Sequence, residues 1–327
     1  MSAGRPSARP GLHRFAVILT CLVVGLIAAG ALVKSKDAGL SVPDWPTSYG
    51  SFNPPRWWQI ENVRAEHGHR LYAGTVALLT IGLAIWAGRR EPRPWVRRVA
   101  YAAVGAVLVQ AVLGGLTVLY FLPPSISIAH AAVAELFLCL VATVALATSS
   151  TWRLPALPSV QRDKARRLVP WATALTVAVY AQILLGALVR HNDAGMAIPD
   201  FPLAFGRLVP AHFDFKIAIH FAHRVGALVV TALLLVVATR VLRAHRGERL
   251  LTVPAVALLA LVAVQIGLGG AIVLTGRAVA VNTLHVATGA TVLLTSLLLT
   301  LNAWRLRGLR AAQAVASGEL GRREVAA

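Results

Sequence analysis

The chain has 327 residues, of which 57% are hydrophobic and only 14% charged, against roughly 25% charged in a typical soluble protein. So few charges cannot solvate a surface around a core of this size, which excludes a soluble enzyme of one or two domains. The formal charge of +19 would point to nucleic acid in a soluble chain, so the placement of the cations decides its meaning. Cys21 and Cys139 both lie in apolar runs, which excludes a CxxC motif, a zinc cage or a disulfide-stapled loop.

Apolar runs able to cross a bilayer, which takes about 20 residues each, read at 15–33, 71–88, 99–121, 126–148, 170–189, 225–239, 251–276 and 279–303. The sixth reaches full length only if it starts near Ile217. Arg5, Arg9 and Arg14 precede the first run, and Arg305, Arg307, Arg310, Arg322 and Arg323 close the chain. The connections after runs two, four and six hold Arg89 to Arg98, Arg153 to Arg167 and Arg240 to Arg249. One face therefore collects 22 of the 32 cations, and the positive-inside bias makes both termini cytoplasmic. The basic balance is topology, and no nucleic acid partner is needed. The short basic leader and the long first run predict an uncleaved first helix in a bacterial plasma membrane. The opposite face carries two long connections, 34–65 and 190–216, and loops of this size on a compact bundle usually have a task.

The chain also repeats itself. Gly30 to Lys34, Asp37-Ala38-Gly39, Pro43-Asp44-Trp45-Pro46 and Gly50 return 156 residues later as Gly186 to Arg190, Asp193-Ala194-Gly195, Pro199-Asp200-Phe201-Pro202 and Gly206. Val109-Gln110 and Leu113-Gly114-Gly115 return as Val264-Gln265 and Leu268-Gly269-Gly270, at an offset of 155. The predicted fold is an all-α integral membrane protein of eight transmembrane helices, in two repeated four-helix bundles. An even number of spans per repeat gives both the same orientation, so a pseudo-twofold axis along the membrane normal should relate them. The expected organisation is an N-terminal tail 1–14, a four-helix half 15–150, a linker 151–169, a second half 170–305 and a C-terminal tail 306–327.

Intramembrane histidines are expensive and therefore functional candidates. His69-Arg70 opens the second apolar run and His223-Arg224 precedes the sixth, while His130 and His285 lie near the starts of the fourth and eighth. All four fall at the outer ends of even-numbered spans, two imidazoles per half at one depth. Bundle cores build cofactor sites in this way, and a heme iron with one histidine on each side fits His69 with His130 and His223 with His285. Copper or zinc at the paired imidazoles stays open, although no cysteine or carboxylate cluster completes such a site. A single membrane histidine can also be a hydrogen-bonding contact between helices. His13, His191, His212 and His245 read as tail or loop residues, and His67 points away from His69.

The halves differ at one chemically loaded position. Glu66 stands three residues before His69, on the same helix face, and the equivalent residue before His223 is His220. A carboxylate beside one site only suggests that the two sites do different work; the plain alternative is an acid favoured by a helix N-terminus. Arg70 and Arg224 follow the histidines, where a guanidinium would pair with a carboxylate or snorkel to the interface. The paired glycines permit close approach of a helix or a flat macrocycle, Gln110 and Gln265 lie one turn away, and Glu135 is a buried acid of unassigned role. Trp45, Trp57 and Trp58 are a lid or an interfacial aromatic belt.

Together, the duplicated eight-span plan, Glu66-x-x-His69-Arg70, His130, His223-Arg224 and His285 resemble the heme A synthase family over residues 12 to 305. The resemblance implies a heme b cofactor between His223 and His285, with Arg224 beside it. It implies a substrate heme O near Glu66, His69, His130 and Arg70, and oxidation of the heme O C8 methyl to the formyl group of heme A for cytochrome oxidase. Heme O synthase and cytochrome oxidase assembly factors are then the candidate protein partners, and a homo-oligomer stays open. Some family members carry a cysteine pair in the first outer loop, and residues 34–65 contain none. Two other readings compete: a di-heme electron-transfer cytochrome b, and a transporter with parallel repeats.

Overall fold

A computed structural model of the chain describes residues 10–153 and 159–308. Its elements are α1 (Pro10–Ser35), α2 (Glu61–Arg90), α3 (Pro94–Leu119), α4 (Pro124–Thr148), α5 (Ser159–His191), α6 (Phe215–Ala244), α7 (Arg249–Leu274) and α8 (Val279–Gly308). All eight contain a segment long and apolar enough to cross a membrane. Among the described residues there is no β-strand, only the isolated bridges Ser48–Ser51 and Ala204–Arg207 in the two long loops. The predicted tails and linker fall partly outside the described residues.

Several helices outrun the apolar runs. α1 begins at Pro10, α2 at Glu61 and α6 at Phe215, where the hydropathy pattern places starts at 15, 71 and 225. Hydropathy stops at the first charged residue, whereas backbone hydrogen bonding continues through polar residues whose side chains find loop or interfacial partners. His69 and His223 therefore do not open their helices; each sits about two turns inside. His13 belongs to α1 and meets the Ala145 carbonyl at 2.9 Å. His191 is the last residue of α5; His245, the residue that follows α6, and His212 lie in connections as expected.

Local chemistry sets the ends. Pro94 and Pro124 occupy first helical positions, where the missing N–H costs nothing. Asp214 caps α6 by accepting from the Ile217 N–H at 2.8 Å. α2 carries Glu61 in its first turn and Arg89 and Arg90 in its last, which complements the helix dipole.

The helices assemble around an inner group. α1 packs on α2, α4 and α8, and α5 packs on α4, α6 and α8, with α3 against α4 and α7 against α8. One apolar cluster joins Leu19, Leu83, Val107 and Leu138; the other joins Leu175, Leu234, Leu258 and Leu293. In lipid there is no hydrophobic gain in pairing helices, so these clusters hold by close dispersion contact. Large apolar side chains such as Leu78 and Leu228 remain 71% and 69% exposed, as lipid-facing residues should.

The two long loops share one conformation over 37–50 and 193–206, while the first also carries a short 3-10 turn at Trp57–Gln59. Asp37, Tyr49 and Gly50 have left-handed backbone angles, as do Asp193, Phe205 and Gly206. The peptide bonds Trp45-Pro46 and Phe201-Pro202 are both cis. Both loops lie at the helix ends that carry the four histidines.

Candidate functional site

Each histidine pair is walled by glycine. A Cβ placed on Gly30 of α1 would stand 3.0 Å from His69 Cε1, and one on Gly186 of α5 would stand 2.9 Å from His223 Cε1. Gly114 of α3 and Gly269 of α7 would each bring a Cβ to 3.3 Å from Cε1 of His130 and His285. The glycines thus let a neighbouring helix press flat against each imidazole and fix its ring. The next glycines receive the loops, since a Cβ on Gly115 would meet the Trp45 ring at 2.5 Å and one on Gly270 the Phe201 ring at 2.8 Å. The paired glycines expected to admit a macrocycle therefore seat a histidine on one side and a loop aromatic on the other.

The second pair has measurable geometry: the His223 and His285 rings stand 6.5 Å apart between centroids, inclined at 69°. Two imidazole nitrogens each about 2 Å from one metal ion would place ring centroids roughly 6 Å apart, so this spacing suits a shared iron. Nδ1 of His69, His130 and His285 is buried without a hydrogen-bond partner, whereas buried polar groups are almost always paired. His223 is the exception: Gln182 Nε2 lies 3.0 Å from its Nδ1. Gln265 Nε2 stands 3.3 Å from His285 Nε2, while the Oε1 of Gln110 is buried and unpartnered. Among the described residues no three His, Cys, Asp or Glu side chains gather as a metal-ion site. The donor set consists of imidazole pairs, which fits a group that brings its own equatorial ligands, as heme does.

Each loop is fastened by the residues beside its histidine. Arg70 donates to the carbonyls of Asp44 at 2.6 Å, Thr47 at 2.8 Å and Val42 at 3.1 Å, and also to Glu66 Oε1. Glu66 Oε2 accepts from the Val42 N–H at 2.9 Å. In the second loop, Arg224 donates to the carbonyls of Leu203 at 2.7 Å, Asp200 at 2.8 Å and Ile198 at 3.2 Å. There the Ile198 N–H points at His220 Nδ1 at 3.3 Å. Arg70 and Arg224 thus spend most of their donors on loop carbonyls. Hydrogen bonds to a charged group are worth about 1.5–3 kcal/mol each, enough to make the arginines the main loop anchors. Glu66 is buried and lies beyond the first turn of α2, so a helix-terminal role does not explain it; like His220, it receives a loop N–H.

The loop tips close on an aspartate. Asp44 accepts from Thr47 Oγ1 at 2.6 Å and from the N–H groups of Tyr49 at 2.6 Å and Gly50 at 2.9 Å. The Thr47 hydroxyl and these N–H groups hold its carboxyl down at about 2. Asp200 accepts from the N–H groups of Gly206 and Phe205, each at 2.7 Å, and lies below the usual carboxylate range because of them.

Two groups escape a reading of the sequence. Gln182 aligns, at the repeat offset of 156, with Leu26, and that mismatch is the signal that would find it. His67, read as pointing away, does point away from His69 but is buried. Its Nδ1 meets Ser48 Oγ at 2.8 Å and its ring packs edge-on against Trp57 at 4.8 Å. Trp57 is therefore part of the loop fastening, whereas Trp58 is 53% exposed.

Fold and site define a multi-pass helical membrane protein with two glycine-walled histidine pairs beneath two anchored long loops. The family model described as cytochrome oxidase assembly protein matches residues 2–142 and 64–298. The chain is 32% identical to the heme A synthase of Shouchella clausii, over 82% of this chain and 88% of that one. It is 30% identical to the heme A synthase of Halalkalibacterium halodurans, over 84% and 92% of the two chains. With that of Caulobacter vibrioides it shares 30% identity, over 89% and 94%. The chain belongs to the heme A synthase family. The electron-transfer cytochrome and the transporter are not favoured by these likenesses.

Proposed function

We propose that the chain is a heme A synthase of the bacterial plasma membrane, oxidising the C8 methyl group of heme O to a formyl group. The observation that carries this reading is the pairing of four imidazoles in glycine-walled cradles, with a carboxylate at Glu66 where the second cradle has His220. The two cradles are taken as halves of one duplicated bundle, 15–150 and 170–305, about a pseudo-twofold axis along the membrane normal. The basic connections place both termini in the cytoplasm and the histidines near the outer face.

In this reading His69 and His130 hold the substrate heme O, and His223 and His285 hold a heme b. A heme b bound there would supply one-electron redox chemistry. Arg70 and Arg224 keep the loops 34–65 and 190–216 seated over their cradles, and any propionate pairing by them uses donors the loops leave free. The long isoprenoid tail of heme O gains by staying in hydrocarbon, so the substrate enters sideways from the lipid. Converting a methyl to a formyl group adds one oxygen atom and removes electrons and protons; with water as the oxygen donor and an external electron acceptor the step balances, and in this reading Glu66, one turn from His69, accepts the protons. While it does so, the contact of Val42 N–H with its other oxygen keeps the carboxylate oriented.

The test is heme extraction from a strain whose only copy of this chain is wild type or His69→Ala. Heme A should accumulate with the first, and heme O in its place with the second. Normal heme A in the variant at normal protein level would overturn the assignment.

A further inference from the structure

Lys34 and Arg190 occupy equivalent positions in the sequence repeat, at the outer ends of α1 and α5, yet their surroundings are opposite. Lys34 is neutralised: its Nζ lies 3.2 Å from Asp193 and 3.7 Å from Asp37, both exposed carboxylates. Arg190 turns inward across the seam between α5 and α1. Its Nη2 donates to the Ala31 carbonyl at 2.6 Å and to Ser35 Oγ at 3.1 Å, and Thr283 of α8 donates to the same Ser35 Oγ at 3.3 Å. Its Nη1 is buried and has no hydrogen-bond partner. Among the described residues no carboxylate forms an ion pair with it. Asp37 acts on it only at longer range, where Arg277 opposes it.

A guanidinium buried in a membrane bundle without a counter-ion is costly and rare. Snorkelling would relieve it by carrying the head group into the interface, but here Nη1 is held inside. The free N–H groups of a planar guanidinium suit a carboxylate above other acceptors. α8, which carries His285, packs against α5, and its Thr283, two residues before His285, shares Ser35 Oγ with Arg190.

We infer that Arg190 is the binding position for a carboxylate of the bound tetrapyrrole, a propionate of the group gripped by His223 and His285, which serves as its counter-ion. The inference rests on the heme assignment made above for that pair. It gives the loop-side end of α5 a positioning role additional to any played by Arg70 and Arg224, whose guanidiniums spend most of their donors on loop carbonyls. It also ties the second cradle to α1, through Ser35 and the Ala31 carbonyl.

The experiment compares heme b with its dimethyl ester, in which both propionates are blocked, as ligands of the full-length protein in detergent. Binding is followed by the absorption spectrum of the bis-imidazole complex in wild type, Arg190→Gln and Arg190→Lys. Wild type should bind the ester more weakly than heme b. In Arg190→Gln that penalty should shrink by roughly tenfold to a hundredfold, the worth of one charge-assisted hydrogen bond. Arg190→Lys should restore part of it, which also guards against a Gln variant that fails to fold. An undiminished penalty in both variants would overturn the inference and leave Arg190 Nη1 to water or an inorganic anion. So would a penalty that shrinks only for heme O measured in a His223→Ala background, because the carboxylate would then belong to the other cradle. If wild type gives no bis-imidazole spectrum, or keeps it in both His223→Ala and His285→Ala, the heme assignment itself fails and the inference falls with it.

Discussion

The two histidine pairs are built from one frame and furnished differently. Around both, a glycine of the preceding odd-numbered helix presses on each imidazole, an arginine binds the loop carbonyls, and an aspartate closes the loop tip. The furnishings diverge beside the first histidine of each pair. His223 has Gln182 against its Nδ1, in space opened by Gly226. At the corresponding offsets the first cradle has Leu26 and Tyr72, and Tyr72 donates instead to the Leu22 carbonyl at 2.8 Å. Conversely, the first cradle has Glu66 and a buried His67–Ser48 contact, where the second has His220, Phe221 and Ala204. The lesson is that one backbone frame is kept around both pairs while the polar groups beside the first histidine of each differ. In the proposed reading, the cradle whose first ring is held by glutamine keeps a resident group, and the cradle with the carboxylate holds the reacting one.

The sharpest way to break this comparison is to remove ligands one cradle at a time. His223→Ala or His285→Ala should abolish the b-type spectrum of the purified protein, whereas His69→Ala and His130→Ala should leave it; full heme b in both of the first two would end the distinction. Next comes the exchange of furnishings. Glu66→Gln should keep heme b and the seated loop but stop formation of heme A, read by heme extraction. Glu66→His copies the residue of the other cradle, and should likewise keep the loop and lose the product. Normal heme A with either variant would leave Glu66 a loop anchor only.

A more graded effect is expected at the glycine walls. Gly186→Ala drives a methyl to 2.9 Å from His223 Cε1, an overpacking that costs about 1–3 kcal/mol, and should lower heme b occupancy measured by pyridine hemochrome. Gly30→Ala should spare heme b and weaken heme O binding. Equal effects of both on heme b would merge the two cradles into one site. The smallest effect concerns the loop tips. The Asp44 carboxyl sits at about 2 when folded, against an ordinary 3.8, so its contribution is full above the ordinary value and is lost as pH falls through the folded one. Resistance of the first loop to proteolysis at Arg56 should therefore hold down to about pH 4 and decline only below it. Asp44→Asn should remove that pH dependence.

Much of the site was legible before any coordinates. The offsets near 155 paired His69 with His223 and His130 with His285, and the Glu66–His220 mismatch marked where the cradles differ. α2 starts at Glu61, ahead of its apolar run at 71, because hydropathy reports where lipid contact ends and backbone hydrogen bonding runs on beyond it; the start of α6 at Phe215 agrees with the extension to near Ile217 that its length required. Arg70 and Arg224 were visible as residues beside the candidate histidines, but their attachment to loop carbonyls was not, since a carbonyl leaves no mark in sequence.

By itself the sequence determined eight spans, the basic face, the internal repeat and the set of residues able to hold a metal-centred ligand. These are properties of composition, period and register, which one dimension encodes. Only the tertiary structure decided which helix presses on which imidazole, that Gln182 serves His223, that His67 fastens a loop, and that Arg190 crosses to α1 while Lys34 stays outside. Such contacts act over a few ångströms between helices far apart in the chain, so docking geometry sets them, and residue type alone does not.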